Sequence, residues 1–179
     1  MKSVLVHCCC AHCAAYTVEY WRQQGCNVSA LWYNPNIHPT LEYNARRNAL
    51  DVYAKLENVD IVFGEYDILG YMTAAVTAMN NNRRCESCYH IRLSATAQYA
   101  HEHNYDAFTT TMLVSHQQKH NSIRDIGEEV ANEWKVPFYY EDFRSGWPQG
   151  RAIATQYGLY RQKYCGCLFS EWERYRSIV

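Results

Sequence analysis

Ser3-Val4-Leu5-Val6-His7-Cys8-Cys9-Cys10-Ala11-His12-Cys13 is the stretch on which the fold turns. Ser3 to His7 is a short apolar, β-branched run, the composition of a buried strand, and it stops abruptly in a cluster of cysteines. From Tyr16 to Gln24 the spacing becomes helical, and Gly25 closes it. The order is strand, loop, helix. Asn27 to Tyr33 reads as a second strand, ending in Asn34-Pro35-Asn36-Ile37-His38-Pro39, whose prolines and asparagines demand irregular backbone. If the strands are parallel, that loop faces the same end as the cysteine loop. Thr40 is placed to cap a helix running to about Leu56, with Leu41, Ala45, Ala49, Val52 and Leu56 as its apolar stripe.

The alternation continues outward. Asp60 to Phe63 reads as a third strand and Asp67 to Met79 as a helix, followed by a polar loop, Asn80 to Arg84. A longer helix from Glu86 to His103 carries Ile91, Ala95 and Tyr99 on one stripe. Ala107 to Leu113 is the next strand, ending in the polar string Val114 to His120. A helix over Ser122 to Trp134 and a final strand, Pro137 to Tyr140, complete the pattern. Repeated β-α alternation predicts a doubly wound α/β fold, a mostly parallel sheet covered on both faces. The tail from Glu141 carries Gly146, Pro148 and Gly150 and runs through a Tyr/Gln/Arg-rich segment into Tyr164-Cys165-Gly166-Cys167 and a closing helix.

At 179 residues the chain has the length of one domain with a real core. Residues 1–179 therefore read as a single metal-binding α/β domain whose Cys-x-Cys segment folds back to the active site. Hydrophobic residues make up 48% and charged residues 20%. No apolar run approaches the roughly 18 residues that would span a bilayer, and no leader precedes the first strand, so the expectation is a cytoplasmic protein without a membrane partner. Lysines and arginines number 17 against 18 acidic residues, so net charge does not decide whether RNA is a partner.

The 9 cysteines carry more information than the 16 tyrosines, because they are clustered. Cys9-Cys10-Ala11-His12-Cys13, Cys85-Glu86-Ser87-Cys88 and Cys165-Gly166-Cys167 each put thiols within a few residues of one another, at spacings that recur in zinc and iron–sulfur sites. Isolated Cys26 reads as a core residue. In a reducing compartment such groups point to metal or redox chemistry. More thiols than one tetrahedral zinc needs favour a cluster plus something else, and in a doubly wound sheet ligands bind beyond the carboxyl ends of the strands. Spacing alone leaves a thiol-based reductase of the sulfonucleotide kind and a zinc-stapled RNA-binding protein as rivals.

Taken with Tyr33-Asn34-Pro35-Asn36-Ile37-His38-Pro39, Glu42-Tyr43, Arg92-Leu93 and Thr109 to Ser115, these groups resemble the QueH type of epoxyqueuosine reductase in the same order from residue 2 to about 172. The resemblance implies the last step of queuosine formation: two-electron removal of the epoxide oxygen of epoxyqueuosine at the tRNA wobble position. It also implies a fold akin to the nucleotide-binding domains of the ATP pyrophosphatase (HUP) group without their phosphate loop, whose place the cysteine turn takes. Carried over, Cys9, Cys10, Cys85 and Cys88 would hold a 4Fe–4S cluster, and Cys13, Cys165 and Cys167 an adjacent mononuclear metal, iron by expectation. An external one-electron donor and a tRNA bearing epoxyqueuosine are the implied partners. The departing oxygen must be protonated, and the catalytic candidates are His12 and His116, between which the sequence does not choose. Asn34, Asn36, His38, Ser115 and Lys119 are the expected substrate contacts, with Arg92, Arg151 and Arg161 as phosphate contacts.

Overall fold

A parallel sheet of four strands, β1 (Ser3–His7), β2 (Asn27–Trp32), β3 (Asp60–Phe63) and β4 (Ala107–Thr110), runs in the order β3-β2-β1-β4. The computed structural model describes residues 1–178. His7 sits opposite Leu31 on one side and Thr110 on the other, so β1 is central and its end lies deep in the fold. Alternate strand residues feed two separate cores. Val4, Val6, Val28, Ala30 and Trp32 pack with helices α1 (Ala11–Gln23) and α2 (Thr40–Glu57). Leu5, Leu31 and Phe108 pack with α4 (Arg84–Glu102) and α5 (His120–Trp134) on the other. The expected doubly wound α/β arrangement is what the chain adopts. Among the described residues no helix is long and apolar enough to cross a membrane.

Several local expectations need correction. The first helix starts at Ala11, without the long cysteine loop, so His12 and Cys13 lie in its first turn and only Cys8 to Cys10 bridge strand and helix. Likewise α4 begins at Arg84, placing Cys85 and Cys88 one turn apart on a helix. The fourth strand stops at Thr110 and continues as a 3₁₀ turn over Thr111–Val114. The anticipated last strand is reduced to one parallel bridge between Phe108 and Phe138. A helix α6 (Trp147–Gln156) forms in the tail before the closing helix α7 (Leu168–Tyr175). Helix α3 (Ile68–Met79) is capped by the Asp67 carboxylate accepting from Gly70 N–H at 2.9 Å.

The stripe on α2 is rotated. Leu41, Val52 and Leu56 are exposed, at 81%, 44% and 53% of their full area, and Thr40 makes no cap. The buried face is Tyr43, Arg46, Ala49, Leu50, Tyr53 and Ala54, which has the same helical period but mixes aromatic and charged residues. An arginine at the centre of a buried stripe is invisible to a search for apolar spacing. Besides Glu42 on the same helix, its partners lie more than a hundred residues away.

Candidate metal centre

The chain leaves β1 toward β2 and β3, then returns to place β4 on β1's other side, opening a crevice beyond the carboxyl ends of β1 and β4. The cysteine turn fills it. Cys9 N–H donates to Thr111 Oγ1 at 3.1 Å, tying the turn to the end of β4. Cys8 still follows the strand register: its N–H donates to Leu31 O at 2.9 Å and its side chain is buried in the core on the α1 side. Burial there pushes the Cys8 thiol well above its ordinary pKa, so it stays a neutral apolar residue.

Cys9 and Cys10 Sγ stand 3.9 Å apart. Two thiolates on one tetrahedral ion with metal–sulfur bonds near 2.3 Å would be separated by about 3.8 Å. Cys10, His12 and Cys13 offer ligand atoms that all lie within 4.8 Å of one another, and Cys13 Sγ is 3.3 Å from His12 Nε2. Burial disfavours a thiolate at Cys10, but hydrogen bonds from the Cys13 and Cys9 thiols outweigh it and pull the Cys10 pKa well below the usual value. Cys13 is held correspondingly high by that same hydrogen bond, with Cys10 as the accepting partner. The donor set is soft and compact, and it suits a thiophilic ion.

The other four thiols form a second group. Cys88 and Cys167 are buried together against Tyr71 and Ala75, and Cys85, Cys165 and Cys167 line one cavity of about 410 Å³. Cys165 joins the two groups, since with Cys9 and Cys13 it also lines a cavity of about 280 Å³. All seven thiols of the three sequence groups thus come to one end of the sheet.

Arg92, expected on a phosphate, is instead buried beneath the thiols at 2% exposure. It donates from Nη2 to Asn34 Oδ1 at 2.9 Å and reaches Cys88 Sγ from Nη1 at 3.8 Å, while Nε meets His7 Nε2 at 3.3 Å. Burial opposes its charge, but the nearby Cys88, Cys9 and Cys165 sulfurs more than compensate and raise its pKa. Arg92 is a fixed counter-charge to thiolates. Asn34 also donates to Cys8 O at 2.8 Å, which spends both ends of its amide inside the fold.

The Cys-x-Cys segment is strapped down by α2. Arg46, 1% exposed, pairs with Glu42 at 2.6 Å and donates to the Cys165 and Tyr164 carbonyls at 2.9 and 3.0 Å. Tyr160 O–H donates to the same Glu42. His38 N–H donates to Gly166 O at 2.7 Å and Tyr164 O–H to His38 O at 2.5 Å. The turn needs glycine at 166: its φ is +136°, and a Cβ there would come within 3.1 Å of Ile37 and 3.3 Å of Arg46.

Of the expected substrate contacts, Ser115 lines the smaller cavity and Lys119 the larger. Asn34, Asn36 and His38 are buried and line neither; His38 holds the strap through its backbone, and Asn36 Oδ1 and His38 Nε2 are left without hydrogen-bond partners. His12 lines the smaller cavity and its Nδ1 has no partner. His116 is exposed and lines neither cavity. Sequence reasoning missed Arg46, Gln118, Gln162 and Lys163. Gln118 accepts from Tyr89 O–H at 2.9 Å and donates to Cys165 Sγ at 3.3 Å. These are single polar residues in unpatterned segments, with no local signal to find them.

Fold and site together define a class: an ATP pyrophosphatase-like α/β protein with a nest of thiols at the crevice beyond the carboxyl ends of β1 and β4. A solved chain described as a predicted subunit of a tRNA methyltransferase from Methanocaldococcus jannaschii superposes with a TM-score of 0.59 over 87% of this chain and 75% of its own, at 12% identity. That likeness is one of fold. Residues 4–173 match the family described as epoxyqueuosine reductase QueH, and the chain belongs to it. The epoxyqueuosine reductase QueH of Dehalococcoides mccartyi is 40% identical over 173 residues, covering 96% of this chain and 94% of the relative. That of Thermotoga maritima is 35% identical over 182 residues, covering 97% and 93%. The family is one of oxidoreductases.

Proposed function

We propose that this chain reduces epoxyqueuosine to queuosine at the wobble position of tRNA, in the cytoplasm, with residues 1–179 acting as one metal-binding domain. The observation that carries the reading is the convergence of seven thiols from three distant segments on one crevice. The balance is simple: an epoxide, two electrons and two protons give an alkene and water. We read the two electrons as coming one at a time from an external carrier.

The 3.9 Å contact between Cys9 and Cys10 supports giving Cys9, Cys10 and Cys13 to the mononuclear metal, iron by preference. Cys85, Cys88, Cys165 and Cys167 then hold the 4Fe–4S cluster, since thiolates on separate corners of a four-iron cube stand farther apart than two on one ion. This exchanges Cys9 and Cys10 for Cys165 and Cys167 relative to the division carried over by resemblance. When bound, the cluster relays single electrons and the mononuclear metal acts as a Lewis acid toward an oxygen.

The protein's own part is to position and protonate. Arg92 balances thiolate charge from below. His12 is the better-placed proton donor to the departing oxygen than exposed His116, because it borders the cavity with its Nδ1 unpartnered. Ser115 and Gln118 flank the same space and offer hydroxyl and amide contacts to the modified nucleoside.

The test is metal analysis of protein purified without oxygen, followed by turnover. About five irons and about four acid-labile sulfides per chain, with brown absorbance, are expected. With a chemical reductant, nucleosides digested from epoxyqueuosine tRNA should shift to queuosine by mass spectrometry. Zinc without sulfide from iron-replete cells would sink the mechanism and promote a zinc-stapled RNA-binding protein. Iron–sulfur protein that reduces a sulfonucleotide and not the tRNA would promote the other rival.

A further inference from the structure

Beside the thiol cavity lies a second hollow of about 250 Å³, lined by His12, Trp147, Arg151, Arg161, Gln162 and Lys163. His12, Trp147, Gln162 and Lys163 line both, so the two share a wall. No carboxylate lines either one, although the chain's 18 acidic residues outnumber its 17 lysines and arginines. The larger cavities elsewhere on the surface all mix signs: Glu19 and Glu57 accompany Arg22 in one, and Glu86 and Glu129 accompany Arg83 in another. Among the described residues no ion pair involves Arg151, Arg161 or Lys163. Three cations around one small hollow repel one another, an arrangement that becomes favourable when an anion enters.

The remaining lining has the chemistry of an RNA site. The Arg151 guanidinium lies 5.3 Å from the Trp147 ring centroid, one turn along α6. Planar cations on aromatic rings serve phosphates and unstacked bases alike. Gln162 Oε1 and His12 Nδ1 are buried in the shared wall without hydrogen-bond partners, which leaves them for a polar ligand.

We propose that this hollow is a phosphodiester subsite, in which Arg151, Arg161 and Lys163 hold the backbone phosphate beside the modified nucleoside while that nucleoside enters the thiol cavity. The proposal rests on the reductase reading and deepens it: the chain selects a polynucleotide over a free nucleoside, because the phosphate supplies binding that the nucleoside lacks. Electrostatic capture at a local patch also explains how a chain of net charge −1 can engage RNA.

The experiment uses the metal-loaded protein and a fluorescent, unmodified anticodon stem–loop RNA, so that binding is read independently of turnover. Arg151→Gln and Arg161→Gln should each weaken RNA binding about tenfold and flatten the slope of log K against log salt by about 0.7 to 1. Iron content should stay at the wild-type value, since both side chains are exposed. Arg124→Gln, on α5 and paired with Asp125, should bind as the wild type does. Wild-type affinity and slope in both arginine variants would overturn the subsite while leaving the reductase reading intact. An affinity that depends on Arg151 and Arg161 in a protein unable to reduce epoxyqueuosine would remove the reductase reading and keep the RNA site.

Discussion

Arg46→Met should release the Cys-x-Cys segment from the rest of the fold. The side chain is buried and makes three polar contacts: Glu42 at 2.6 Å and the Cys165 and Tyr164 carbonyls at 2.9 and 3.0 Å. It also lies 5.5 Å from the Tyr164 ring centroid. Removing one partner of a buried ion pair costs about 3–5 kcal/mol, because the carboxylate left behind at Glu42, 8% exposed, has lost its counter-charge. Each carbonyl that loses its donor adds about 1 kcal/mol or more unless water reaches it, and Cys165 is exposed enough for that. A loss of about 4–6 kcal/mol against a typical stability of about 5–15 is severe, and the cheaper response is local: detachment of residues 160–175 with the core intact. Hydrogen exchange should show those residues losing protection while β1 and β4 keep theirs, and cluster iron should fall. The double variant Arg46→Met, Glu42→Leu separates the two costs. It removes the stranded charge, so the midpoint in urea should recover, but the segment stays unstrapped and exchange there stays fast. Unchanged exchange over 160–175 in both variants would refute the strap.

The cysteines separate by phenotype. Cys85→Ala and Cys88→Ala should lose cluster iron, sulfide and activity together, Cys13→Ala should keep most cluster absorbance while turnover disappears, and Cys26→Ala should keep both; full iron in the first pair would overturn the ligand assignment. Stability should fall in mild acid because of His7. Burial first, and Arg92 second, hold its pKa down to about 3, against 6.5 for a free histidine. Below pH 6.5 the unfolded chain takes a proton that the folded chain refuses, so this contribution is intact above that pH and is lost at about 1.4 kcal/mol per pH unit on descending toward 3. Urea melts at pH 7 and pH 5 should show that slope, and His7→Gln should flatten it. Gly166→Ala should cost about 1–3 kcal/mol from the +136° φ and the contact with Ile37, read as a lower melting temperature and faster reaction of Cys165 with a thiol reagent.

The sheet and its helices were legible in the sequence because each element announces itself locally. The run Ser3 to His7, the 3.6-residue periods and the intervening polar turns state their type without reference to distant residues. The seven thiols were equally legible, since C-x-x-C and C-x-C spacings are short-range signals with few competing uses. Boundaries and faces were not. Helix α1 begins at Ala11 because Cys10 supplies extended backbone at its start with β1 already ended, and α2 turns its Tyr43–Arg46–Leu50 face inward because the Cys-x-Cys strap and Trp32 lie there. Asn34, Asn36 and His38 sit at the end of the sheet the sequence indicated, but only the packing shows that they are buried, with Asn34 bonded to Arg92 and His38 beside Tyr66.

By itself, then, the sequence determined the β-α alternation, the three thiol groups that a metal would need and, through the order of its motifs, to which family the chain belongs. Only the tertiary structure decided which thiols lie next to one another, that Arg92 lies beneath them and not on a phosphate, and that Arg151, Arg161 and Lys163 gather in a hollow without a carboxylate. The physical reason is range. Strand and helix signals act between residues a few positions apart, whereas charge compensation, cavity walls and metal geometry depend on distances of a few ångströms between groups that the chain separates by more than a hundred positions, as it does Arg46 and Cys165.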